Sequence, residues 1–595
     1  MTRKTYCGNL LWQSGLTLLS PDETPTVSIA YNAFGRQVEA HDVAGITTFL
    51  YDSFGSLTNE TIIGLAGTNS IDRFYDNFGR DTGYALNGVR QSTLGYDSAT
   101  ARLLSMQISR TGGSPVQGEA TFSWSYLPGS DLKSSLAYPN GLSASWAYDA
   151  KGHLLQVCNA TPTNIISQYD YTYDAAGRRV SCAKSGSAFA QNDTLSYGYN
   201  EKSELTNAVA SVDSDYRYAY DFDDIGNRET SSERGTNSVY AANQLNQYTA
   251  VDGFTPQFDD DGNQTLVKTA TGIWSVAYNG ENRPILWTCI QSNNTNNQTI
   301  ISMSYDRMGR RVAKNAQRFV YDGYLQIADN NGNAYIWDPS AIVATRPLVW
   351  QCGNSVEYYT HDGNKNVSEV VAENGDVAAH YEYAPFGAIV AQRGTTASDN
   401  PWRFSNEYAD DDTGTVYYNY RHYEPVTGRW LRRDILHPIA CLNPYGFKHF
   451  DFLGLRMIVR ETDDVFDALD FLEKTAHFHG KFGWHPVSPY SRAEGERKNQ
   501  KCCAITGKDT EYFRWLKIKY EPDESDYEID MVDWKHGPNV KEEDQEIYDK
   551  LFDIVFEHED EHRKIYETHL RLLKAEFQEE DSNCVKDNVK SFNDL

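Results

Sequence analysis

The sequence predicts a mainly β protein, a spiralling sheet of stacked hairpins followed by a separate α+β domain. Three observations predict it. A Tyr-Asp-x-x-Gly unit recurs along most of the chain, the composition is aromatic and poor in Pro, and the texture changes after Leu455. Forty Tyr and twelve Trp stand against nineteen Pro in 595 residues. That balance suits ordered strands better than a disordered chain.

The recurring unit reads YNAFGR at Tyr31, YDSFGS at Tyr51, YDNFGR at Tyr75, YDAKGH at Tyr148 and YDAAGR at Tyr173. It continues with FDDIGN at Phe222, FDDDGN at Phe258, YDRMGR at Tyr305 and YAPFGA at Tyr383. Neighbouring copies often lie 20 to 27 residues apart, room for two strands and two turns. Asp or Asn before Gly supplies turn residues that tolerate positive φ, so each unit is expected to close a hairpin. The Tyr suits a half-buried strand, and the flanks alternate, as in Tyr216-Arg-Tyr-Ala-Tyr220. Hairpins that cannot each bury a face must stack, which predicts one continuous spiralling sheet.

Past Leu455 the pattern is different. Val465 to His477 has apolar residues at helical spacing. Glu511 to Tyr520 and Tyr527 to Trp534 alternate like two antiparallel strands with a turn at Pro522 to Ser525. Beyond Pro538 neither Gly nor Pro occurs, so Glu542 to Glu580 reads as one or two long helices. The predicted domains are therefore 1–415, a sheet of stacked repeats; 416–455, a distinct segment after it; and 456–595, an α+β domain.

A formal net charge of −28 argues against a general nucleic-acid or anionic-membrane binder. Nine Cys without CxxC pairs indicate neither a disulfide framework nor a Cys-based zinc site. The apolar N-terminal stretch is interrupted by Gln13, Ser14 and Gly15, a poor signal peptide, and no run is long enough for a membrane helix. Export by a dedicated apparatus, from the cytoplasm, is the expectation. The chain begins within repeat-like sequence and is expected to be part of something longer.

The stretch Tyr417 to Leu455 carries the most specific signal. It contains YYNYRHYEPVTGRW (Tyr417 to Trp430), then Asn443-Pro-Tyr-Gly-Phe447 and Asp451-Phe-Leu-Gly-Leu455. It resembles the Rhs-repeat-associated core of bacterial Rhs and YD-repeat proteins, among them polymorphic toxins and insecticidal toxin-complex C subunits. The resemblance implies a hollow β-shell, a cage or partial cage, plugged by this segment. It also implies self-cleavage in aspartyl-protease fashion by Arg421, Asp434 and Asp451, between Leu455 and Arg456, freeing a toxin. Two adjacent carboxylates cannot both ionise, so one holds a proton while the other activates water, and a neighbouring guanidinium would keep the second charged. Asp434 and Asp451 are followed by Ile and Phe where the family has Pro, the spacer between them is shorter, and Glu424 replaces an Asp. A plug that is purely structural is the alternative. The resemblance further implies secretion or toxin-complex partners and an immunity protein.

The tail holds His558-Glu-Asp-Glu-His562, an H-E-x-x-H motif. On a helix the two imidazoles share a face and can bind one Zn2+, with Glu559 as general base on the bound water. The third ligand is open between Glu576, Glu579, Glu580 and His569, with His477, His479, His485 or His536 as further options. His569 lies roughly 10 Å beyond His562 on a straight helix, too far to share its ion. Asp560 and Glu561 are unusual inside such a motif, and a solvated charged helix is the plain alternative.

The leading expectation is a shell enclosing a zinc-dependent peptidase toxin with a protein substrate. Its rivals are a non-enzymatic adhesion protein binding carbohydrate or cell surfaces, and a nuclease or other toxin in the tail. The tail carries 21 Lys and Arg against 34 Asp and Glu, which disfavours a nucleic-acid substrate.

Overall fold

A computed structural model describes residues 26–447 except 110–119, 293–299, 341–344, 354 and 435–442. It adds the backbone of short strands at Tyr6–Cys7, Leu10–Ser14, Asp451–Phe452, Leu455–Arg456, Lys517–Lys519 and Glu528–Asp530. The chain divides into two compact units, Met1–Asp470 and Phe471–Leu595.

Residues 173–178 show how one repeat is built. Asp174 Oδ1 accepts from the backbone N–H of Ala176 (3.0 Å) and Arg178 (2.9 Å), closing the turn. Gly177 takes φ +77°, a conformation costly for a side chain. Tyr173 donates its hydroxyl back to Leu154 O of the preceding hairpin (2.7 Å). Arg178 pairs with Asp174 (2.7 Å) and reaches forward to Asn200 O of the next turn (3.0 Å). Tyr173 faces Arg179 while Thr172 faces Ser181, so Val180 is bulged. The same register shift accompanies Tyr51, Tyr75, Tyr148, Tyr199 and Tyr305. Bulges raise local twist, and their recurrence bends the sheet at each repeat.

Within each sheet of the first unit, strands adjacent in sequence pair antiparallel as a meander. The first sheet has nine strands, ending at Val89–Arg90; the second has fourteen, Ser92–Tyr96 to Tyr248–Val251; the third has fourteen, Gln257–Phe258 to Ile389–Arg393. Alternation holds as expected: Tyr218 and Tyr220 are buried, while Arg217, Ala219 and Asp221 are exposed. The second sheet packs on the third through Phe122, Trp124 and Leu136 against Ile336, Leu348 and Tyr358. Ile71 of the first sheet belongs to the same buried cluster as Trp274, Trp287 and Tyr359 of the third.

In the second unit, Lys517–Lys519 pairs antiparallel with Glu528–Asp530, inside the two strands expected there. The expected helices at 465–477 and 542–580 lie outside the described residues.

Candidate active site

After the third sheet, the chain forms a small four-stranded sheet: Tyr408–Asp410, Thr415–Tyr418, Arg421–Glu424 and Arg429–Trp430. It is an aromatic knot in which Tyr423, Trp430, Phe404 and Phe447 pack together. The turn between its last two strands is held by Glu424. Buried Glu424 accepts from Val426 N (2.9 Å), Thr427 N (2.6 Å) and Thr427 Oγ1 (2.7 Å). Burial pushes its carboxyl up against the pull of those hydrogen bonds. The residue that departs from the family pattern is thus a turn former.

Arg421 and Asp434 meet across this hairpin. Arg421 Nη2 lies 3.0 Å from Asp434 Oδ2, with the Arg side chain 6% and the Asp side chain 19% exposed. The guanidinium stacks on Trp430, 4.1 Å from its ring centroid. Asp434 donates its backbone N–H to Pro444 O (2.8 Å), and Trp430 donates its own to Tyr445 O (3.0 Å). One carboxylate is therefore fixed beside a desolvated cation.

Asp451 is placed by its backbone alone. Asp451–Phe452 pairs with Leu455–Arg456 in the register Asp451↔Arg456 and Phe452↔Leu455. The bond expected to break thus lies on the strand opposite Asp451. The side chains of Asp451, Leu455 and Arg456 lie outside the described residues, so two of the three expected residues are seen together. His558, Glu559, His562, His569, Glu576, Glu579 and Glu580 also lie outside them, as do His477, His479, His485 and His536. Among the described residues, no group of three His, Cys, Asp or Glu could hold a metal.

Sequence reasoning did not assign Trp430, Asn443 or Pro444 a role, nor the charged network between the small sheet and the third. There Asp410 accepts from Arg311 and Lys314, both at 2.7 Å, with all three side chains buried. Burial raises the Asp410 carboxyl, but the two cations outweigh it and hold it well below the usual carboxylate range. His422 beside it is pushed down to about 3 by burial and by Arg311, hence neutral packing. Trp430 and Asn443 stood inside the quoted motifs, which was the only signal for them.

No protein-family model matches the chain. The Burkholderia cenocepacia protein called double-stranded DNA deaminase toxin A is 24% identical over 504 residues, covering 74% of this chain and 31% of its own length. Toxin subunit YenC1 of Yersinia entomophaga is 24% identical over 304 residues, 49% of this chain and 28% of its own length. Both of these relatives are named as toxins. A solved TcdB2–TccC3–TEV structure superposes with a TM-score of 0.60 at 17% identity, over 76% of this chain and 26% of that one. The first unit therefore has that β-shell fold. The chain spans under a third of the length of each of these proteins. No helix among the described residues is long and apolar enough to cross a membrane.

Proposed function

We propose that this chain is a toxin-delivery shell that cuts itself. Residues 1–415 form the wall, 416–455 the plug, and 456–595 the toxin. The observation that carries the reading is the Arg421–Asp434 pair, its guanidinium buried, fixed at 3.0 Å inside a plug that is tied to the wall. In this reading Asp434 and Asp451 share one proton across the Leu455–Arg456 bond. The neutral acid protonates the leaving nitrogen, the carboxylate takes a proton from attacking water, and Arg421 keeps Asp434 ionised. Toxin-complex components and an immunity protein would be its partners.

For the tail, His558, Glu559 and His562 favour a zinc-dependent peptidase on chemistry alone. A second reading, an enzyme acting on nucleic acid, is favoured by the likeness to a DNA deaminase toxin.

Intact-mass analysis of the parent beside Asp434→Asn, with zinc quantified, tests both parts. The expected result is cleavage at Leu455–Arg456 in the parent alone, with one zinc on the tail fragment. An uncut parent overturns the self-cleaving plug. A metal-free tail would move the toxin to the second reading.

A further inference from the structure

The plug is anchored through its return segment as well as its hairpin. Asn443 is fully buried and donates from Nδ2 to Asn227 Oδ1 (2.8 Å). Its Oδ1 accepts from Arg429 Nη2 and Tyr445 N, both at 3.1 Å. Asn227 stands in a polar ladder, donating to Asp223 Oδ2 (2.7 Å) and Asn246 Oδ1 (2.9 Å). Those residues belong to the last turns of the second sheet.

Tyr445 reaches the other way. Its hydroxyl donates to Gly262 O (2.8 Å), in the first turn of the third sheet, and accepts from Gln247 Nε2 (3.2 Å). Arg433, adjacent to Asp434, donates to Asp261 O (2.9 Å). A Cβ on Gly262 would lie 2.7 Å from both Arg433 Nε and Tyr445 Oη, so the wall is fitted to this segment. Asn443 to Tyr445 thus span the seam where the second sheet ends, at Val251, and the third begins, at Gln257. The same three residues feed the site. Pro444 O holds the Asp434 backbone, and Tyr445 O holds the backbone of Trp430, whose ring lies over Arg421.

We propose that Asn443 and Tyr445 are positioning residues for self-cleavage. Seated on the seam between the second and third sheets, they hold Asp434 against Arg421, so the plug cuts only once that seam has closed beneath it. This rests on reading Arg421–Asp434 as the cleavage site. Its functional content is timing. A chain whose wall is still open keeps its tail attached, because Asp434 takes its backbone anchorage from Pro444, which sits between the two residues seated on the seam.

The full chain is made by cell-free synthesis and chased at a series of pH values, with the cut fraction followed by mass. The variants are Asp434→Asn, Asn443→Ala, Tyr445→Phe and, on the wall, Asn227→Ala. Asn443→Ala, Tyr445→Phe and Asn227→Ala are expected to cut at least tenfold more slowly, with a pH profile displaced from the parent's. The Asn227→Ala/Asn443→Ala double variant is expected to slow cutting by less than the product of the two single effects, since both remove the shared Asn443–Asn227 contact. Tyr445→Phe deletes a single oxygen and carries the test if Asn443→Ala fails to melt cooperatively. Parental rates and pH profiles in Tyr445→Phe and Asn227→Ala, with Asp434→Asn uncut, would overturn the positioning role and leave the site standing. Parental cleavage by Asp434→Asn would overturn the site and the inference with it.

Discussion

Arg283 ends one turn and lies over the next, where a Cβ on Gly309 would come within 2.1 Å of its Nη2. The forward reach explains two letters of the repeat at once: the Arg ties neighbouring turns together, and the Gly leaves it space. Where the following turn has Ser203 or Asn246 in the left-handed region instead, the reaching side chain hydrogen-bonds to it, as Arg178 and Asn227 do. Arg283 cannot swing aside, because it is buried, donates to Tyr420 O (3.1 Å) and stacks on the Tyr420 ring. Gly79 has the same φ, +77° against +76°, but open space around it. Gly79→Ala is therefore expected to destabilise by about 1–2 kcal/mol through backbone strain. Gly309→Ala should lose roughly 1–3 kcal/mol more through overpacking. Denaturant midpoints of the two variants check this, and equal losses would refute the forward tie.

At the scale of elements, the small four-stranded sheet is fastened to the third sheet by charge. Asp410, on its first strand, faces Arg311 and Lys314 of the strand Arg311–Lys314. Removing one partner of a buried ion pair strands the others, at a cost of roughly 3–5 kcal/mol. Asp410→Asn should fall near the low end, about 3 kcal/mol, because Asp412 still contacts Lys314 at 2.7 Å. Unfolding in denaturant at neutral pH measures it, and a loss under about 1 kcal/mol would mean the network is passive. The Asp410 carboxyl is held low in the folded state, so its contribution is present above its ordinary range and disappears in strong acid.

Across the whole molecule, separate sheets are joined by a buried network centred on Glu369. Its carboxylate accepts from Ser167 of the second sheet (2.8 Å) and from Thr360 (2.6 Å) and Ser368 (2.8 Å) of the third. His380 lies between Glu369 (3.0 Å) and Glu382 (3.6 Å), and Glu382 also binds Lys184 of the second sheet (2.6 Å) and Arg393 (3.3 Å). Burial opposes charge on His380, but the two glutamates outweigh it and raise its pKa. Burial likewise opposes charge on Glu382, yet His380 and Lys184 bring it down to about 2. A raised His stabilises fully below its unfolded value and loses that contribution as pH rises through its folded value. A depressed Glu contributes above its unfolded value and loses it as pH falls toward 2. The network is thus strongest between about pH 4.5 and 6.5. His380→Gln should narrow its gap to the parent as pH is raised beyond that window, read as Tm against pH. A gap that widens on the alkaline side would reverse the assignment.

The amino-acid sequence by itself determined the hairpins, their turns and the strand faces, and it marked the segment from Tyr417 onward as distinct. Those features rest on contacts within a few residues, such as Asp174 with Ala176 and Arg178, and on alternation along one strand. Arg421 and Asp434 were named together only through the family resemblance of one segment, and the fold places them 3.0 Å apart. Tertiary structure alone decided which repeat meets which. Lys184 finds Glu382 198 residues away, and Asn443 finds Asn227 216 residues away. No local period encodes such pairings, because they depend on the twist accumulated over many bulged strands. The roles of Trp430 and Asn443 were hidden for the same reason. Each acts through a neighbour that only the closed plug brings to it.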